Sequence, residues 1–108
     1  MKEIKAVIGT RALASLHASL RATPGFPGMT VSKAERYGRA VGADGLPHTI
    51  REELTDHVAR FRVEMVVPDE AAGALYDAVV ACLSSGAPGD GVVWISEVER
   101  ASFVHKTR

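Results

Sequence analysis

Residues 59–67, ARFRVEMVV, alternate so that Phe61, Val63, Met65 and Val67 point one way and Arg60, Arg62, Glu64 and Val66 the other. Period two is the signature of a half-buried strand. A slip of one residue would turn the charged set into the core, so the register of this strand is strongly specified. The chain must therefore build a sheet with one buried face and one mixed face. Residues 2–8, KEIKAVI, repeat the pattern, with Ile4, Ala6 and Ile8 on one side and Lys5 and Val7 on the other. Between these strands the period changes. In RALASLHASLRA (11–22), Leu13, Leu16, His17 and Leu20 fall at i, i+3, i+4 and i+7, one face of a helix. Gly9-Thr10 offers a turn and an N-cap, and PGFPG (24–28) cannot continue the helix.

Met29 to Tyr37 reads as a further strand, after which the periodicity dissolves from Gly38 to about His57. A structureless stretch of that length inside a compact domain tends to be functional; within it, TIREELTDHVA also reads as a short surface helix. Pro68-Asp69 closes the 59–67 strand and caps a helix over 70–84, with Leu75, Val79, Cys82 and Leu83 as its apolar stripe. SSGAPGDG (84–91) is a glycine-rich turn into a last strand, VVWISEV (92–98), and a mixed tail follows. The order β-α-β-β-α-β predicts an α+β, ferredoxin-like sandwich: an antiparallel sheet with two helices on one face. With 108 residues, the chain is expected to be one domain, 1–108.

Two helices cover one face only. The other would carry Val7, Arg60, Arg62, Glu64, Val66, Val92 and Trp94, a mixture of aliphatic, indole and charged groups suited to a subunit interface. An oligomer is expected. Thirteen basic and thirteen acidic residues balance to a net charge of zero, which argues against a nucleic-acid binder working through bulk positive charge. The single cysteine, Cys82, excludes an internal disulfide. No apolar run approaches the ~20 residues of a membrane span, and Met1-Lys2-Glu3-Ile4 does not open like a signal peptide. The expected location is cytoplasmic.

Four stretches, MKEIKAVI (1–8), GMTVSKAERYGR (28–39), RFRVEMVVPDE (60–70) and GAPGDGVVWISEVER (86–100), resemble the PII signal-transduction proteins in order and spacing along nearly the whole chain. The resemblance implies a homotrimer and not an enzyme. It implies adenine nucleotide in clefts between subunits, and a long loop, the T-loop at about 40–58, that regulates a protein target such as a transporter or enzyme. Thr30, Gly38, Arg39, Arg60, Glu64, Gly89, Asp90 and Gly91 match positions the family uses around the nucleotide. Successive backbone N–H groups at 86–91 suit phosphates.

The departures from the family pattern are chemical. Val92 stands where a phosphate-binding lysine is usual, Phe103 and His105 replace an arginine pair, and Ala40 replaces a glutamine that contacts 2-oxoglutarate. No tyrosine lies between residues 38 and 75 to correspond to the modified loop tyrosine. Each lost charge-assisted contact removes roughly 1.5–3 kcal/mol, and about 1.4 kcal/mol is a decade of affinity. ADP or AMP is therefore expected in preference to ATP, and no cofactor is obligatory. Divergent relatives of this kind accompany inorganic-carbon systems, where bicarbonate is also a signal; Arg39, Arg60 and Arg62 would supply the potential for such an anion. Others accompany heavy-metal efflux, for which His48, Glu53 and His57 are the weak metal candidates, Glu53 and His57 being spaced i, i+4. A nucleotide-free adaptor is the third reading.

His17 is expected as a boundary histidine held by a backbone carbonyl, Cys82 as a core residue, and Trp94 as an interface side chain. His105 is read either as a pH-dependent phosphate contact or as part of a frayed tail. No nucleophile with a neighbouring base appears in the sequence.

Overall fold

A computed structural model describes residues 1–37, 57–84 and 91–104. It contains strand β1 (Lys2–Gly9), helix α1 (Leu13–Arg21), strands β2 (Thr30–Tyr37) and β3 (His57–Val67), helix α2 (Asp69–Ser84) and strand β4 (Val92–Glu97). The sheet order is β2-β3-β1-β4 and every neighbouring pair is antiparallel. Two parallel strands, β1 and β2, thus flank β3, and the expected ferredoxin-like sandwich is what forms.

The alternation read from the sequence sets the faces. Ile4 is paired with Met65 and Ala6 with Val63, while on the other side of β1 Ile4 faces Ile95 and Ala6 faces Val93. Ile4, Ile8, Val63 and Val67 are fully or almost fully buried beneath Leu16 and Leu20 of α1 and Leu75 and Val79 of α2. Cys82 is half-buried against this core, as expected, with its sulfur 3.7 Å from the Ser15 hydroxyl. Each fully buried aliphatic side chain contributes about 1.5–3 kcal/mol of transfer free energy.

Four local expectations change. Thr10 does not cap a helix; it opens a 3-10 turn, Thr10–Ala12, without a side-chain capping bond, and α1 proper begins at Leu13. A tight turn is enough here because the strand must reverse sharply at Gly9. The strand β3 starts at His57 rather than at residue 59. Its first two residues pair with Tyr37 and Arg36 and so leave the expected 40–58 loop, because the ladder satisfies backbone groups that a loop would leave to water. The rest of that loop, 40–56, lies outside the described residues. His17 is exposed with its ring edge-on to Phe26, centroids 6.2 Å apart. Asp69, expected as the cap of α2, ion-pairs with the Met1 ammonium at 2.8 Å.

Candidate functional site

On the face of the sheet away from the helices, the cross-strand register assembles a continuous row. Thr30 of β2 sits opposite Glu64 of β3, and Glu64 sits opposite Lys5 of β1, which faces Trp94 of β4. One step toward the 38–56 segment, Ser32, Arg62, Val7 and Val92 form the next row, followed by Ala34, Arg60 and Gly9. The Lys5 ammonium lies 3.6 Å from a Glu64 oxygen and 3.8 Å from a Glu3 oxygen, so one cation serves two carboxylates. The Ser32 hydroxyl is buried without a hydrogen-bond partner among the described residues. Trp94 and Val92 are each about two-fifths exposed, an apolar surface that a free solvent face does not need.

Thr30 and Glu64 open into a cavity of about 560 Å³, within the size range of small-molecule sites. Its other walls are Glu3, Met65 and Val66, the Pro27–Gly28–Met29 entry to β2, and Phe103. Glu3 belongs to the same face because it pairs with Val66. Its alternation with Ile4 could have shown this in the sequence. Phe103 could not have been placed that way. It lies in a segment without regular structure beyond β4, tied at Val98, whose N–H donates to the Met1 carbonyl. From there the chain crosses the sheet from the β4 edge toward β2.

Arg60 is elsewhere. It lines a second cavity of about 440 Å³ with Thr10, Lys33, Ala34, Glu35 and Phe61, and its guanidinium donates to the Ala59 carbonyl. Four residues of strand separate Arg60 from Glu64, about 13 Å at roughly 3.3 Å per residue. Gly91 belongs to the Arg60 end. A Cβ built on it would lie 3.0 Å from both Leu83 methyls and 3.2 Å from the Val7 carbonyl oxygen, so the chain enters β4 tightly packed there. Thus, of the sequence-derived nucleotide residues, Thr30 and Glu64 are brought together at one place, whereas Arg60 lines a separate cavity and Gly91 enters β4, with β1 between the two strands. Gly38, Arg39, Gly89 and Asp90 lie outside the described residues, as do Ala40, His48, Glu53 and His105; of His57 only the backbone is described. Arg62 lies on the open face between the two cavities. Among the described residues no group of three or more His, Cys, Asp or Glu side chains could hold a metal ion, and no helix is long and apolar enough to cross a membrane.

At the end of the molecule near Met1, two charged groups are shifted by their neighbours. The Asp69 carboxyl is held below its usual value of 3.8 by the hydrogen bond and charge of the Met1 ammonium, and Lys2 is raised by its hydrogen bond to Glu97.

The model of the family described as Nitrogen regulatory protein P-II matches residues 1–108. Among curated proteins, the chain is 33% identical over 101 residues to the Nitrogen regulatory protein P-II of Haemophilus influenzae, covering 94% of this chain and 88% of that protein. It is 31% identical over 100 residues to the Nitrogen regulatory protein P-II 1 of Escherichia coli K12, covering 93% and 88%. It is 33% identical over 99 residues to the Nitrogen regulatory protein P-II of Rhizobium meliloti, covering 92% and 87%. Similarity spanning the whole sheet-and-helix unit, carried by a chain with this β-α-β-β-α-β order, identifies a regulatory protein of one kind: the chain belongs to the nitrogen regulatory protein P-II family.

Proposed function

We propose that the protein is a homotrimeric sensor that binds ADP or AMP in clefts between subunits and regulates a partner protein through the 40–56 segment. The observation that carries the reading is the separation just described. A cavity with a hydroxyl, two carboxylates and an aromatic ring suits the base and sugar of a nucleotide, while Arg60 stands about 13 Å away along the strand. One protomer does not converge these groups on a short ligand, whereas a cleft between two protomers brings one subunit's Thr30 and Glu64 toward another's Gly89, Asp90 and Gly91. The half-exposed Trp94 and Val92 on the open face supply the apolar contact that holds such clefts.

The identities of residues 92 and 103 favour fewer phosphates. Val92 faces Val7 across the strand pair, and a valine at 92 and a phenylalanine at 103 carry no cation for a triphosphate. Bicarbonate is a suitable second ligand near Arg39, Arg60 and Arg62, and the buried Ser32 hydroxyl opposite Arg62 is a ready hydrogen-bond group for a small oxyanion on that face.

Isothermal titration of ADP and AMP into the protein, with and without bicarbonate, tests the reading. Micromolar binding that tightens with bicarbonate is the expected result, and a ligand at 100 times its Kd adds about 2.7 kcal/mol to stability in a melt. Arg39→Ala is expected to weaken binding at least tenfold while the assembly stays intact. Absence of any adenine-nucleotide binding would overturn the proposal and leave a nucleotide-free adaptor.

A further inference from the structure

We infer that the trough between α1 and the start of β2 binds a small anionic amphiphile, an aliphatic carboxylate, on the opposite side of the sheet from the nucleotide cleft proposed above. The chain as a whole is neutral, with thirteen basic and thirteen acidic residues, yet residues 4–34 contain no aspartate or glutamate. The same stretch carries Arg11, His17, Arg21 and Lys33. The walls of the trough, Thr10, Leu13 and His17 on the helix side and Met29 and Val31 on the strand side among them, all belong to this acid-free stretch. Cations gathered around one surface of a neutral protein give that surface a positive potential, which draws anions.

The trough is open because α1 covers less than the width of the sheet. Leu16 and Leu20 are buried in the core, and so is Val63 of β3, whereas Val31, opposite Val63 in the ladder, is 37% exposed. Leu13 and Met29 are half-buried. With Val31 they give an apolar lining to a cavity of about 720 Å³, within the range of small-molecule sites. Among the described residues, its side-chain hydrogen-bonding groups are the Thr10 hydroxyl and the His17 imidazole. Phe26 stands edge-on to that imidazole, with centroids 6.2 Å apart, and restricts its rotation. Arg21 stands at i+4 from His17 on α1, Arg11 adjoins Thr10, and Lys33 is the next residue on Val31's side of β2. The first carboxylate along that side of the strand is Glu35, beyond Lys33. A ligand that satisfies both parts of the trough carries an aliphatic chain for Leu13, Met29 and Val31 and an anionic head for the Thr10–His17 margin. A bare anion would leave the apolar side chains in water, and a bare hydrocarbon would leave the polar margin unmatched.

The test is titration of octanoate into the wild-type protein, followed by NMR at the Leu13 and Val31 methyl groups. Saturable movement of those methyl signals is expected. Affinity should rise by about fourfold per methylene from butyrate through hexanoate to octanoate, the increment for burying one CH2 group. Octanol, which keeps the chain and lacks the charge, should bind at least about tenfold more weakly, the loss of one charge-assisted contact. Val31→Asp sets a carboxylate in the trough at an exposed edge position and should weaken octanoate binding at least about tenfold. His17→Ala should weaken octanoate and leave octanol unchanged. Unmoved Leu13 and Val31 methyl signals, octanol binding as tight as octanoate, or a folded Val31→Asp protein with wild-type octanoate affinity would each overturn the proposal. The first two measurements use the wild-type protein and do not depend on any variant folding. Whether ADP or AMP binds is read separately, so the failure of the nucleotide reading and the failure of this one are distinct results.

Discussion

At the scale of single residues, two glycines show how little of a position's importance lies in its type. Gly25 has φ +87°, and a Cβ there would stand 2.6 Å from the Cβ of buried Ala71, at the start of α2. Gly73 sits on the same helix with open space around it. Gly25→Ala must move packed atoms and adopt a left-handed backbone, and should cost about 1–3 kcal/mol. Gly73→Ala should instead add about 0.4–1 kcal/mol by restricting the unfolded chain and improving helix propensity. Urea denaturation of the two variants measures both; destabilisation by Gly73→Ala or a silent Gly25→Ala would contradict the packing described. Val92 and Phe103 make the same point for function. Both were visible in the sequence as departures from a familiar pattern, yet one faces a neighbouring valine and the other lines a cavity.

At the scale of elements, α1 and α2 are short amphipathic helices whose stability comes from the sheet beneath them. Leu75 is fully buried, so Leu75→Ala should cost about 2–5 kcal/mol, read from the denaturation midpoint. A loss under about 1 kcal/mol would mean that α2 is not seated on the sheet as described. The first turn of α2 also carries a pH-dependent contact. The Asp69 carboxyl is lowered in the folded state by the Met1 ammonium. Its contribution is therefore present above the ordinary carboxylate range and is lost as pH falls through its lowered folded value. The contact is solvent-exposed and its effect small. Melting temperatures should fall less steeply on acidification below pH 4 in Asp69→Asn than in wild type. Identical acid profiles would show that the pair contributes nothing.

At the scale of the whole molecule, the sheet has one face closed by helices and one that a single chain leaves open. Trp94, Val92, Val7 and Val66 on that face alternate with Lys5, Arg62 and Glu64, whose charges are partly paired within it. In the proposed homotrimer this is the surface that would be buried between copies of the chain. Trp94→Asp should accordingly shift the assembly toward monomer, seen as a lower mass by light scattering after size-exclusion chromatography. If the proposed function holds, nucleotide binding should fail with it, because the proposed cleft needs two subunits. A monomeric Trp94→Asp protein that still bound ADP at wild-type affinity would place the whole site within one chain.

The sequence by itself determined the element order, the buried faces of β1 and β3 and the apolar stripes of both helices. Those follow from periods of two and 3.6, which are local properties of the backbone. What only the tertiary structure decided were the things that depend on where distant segments cross. These are the extension of β3 back to His57, the register that sets Thr30 opposite Glu64, the placement of Glu3 beside Glu64, and the path that brings Phe103 over the sheet. An irregular tail has no period to read, so its destination is set by the contacts that the folded sheet offers it.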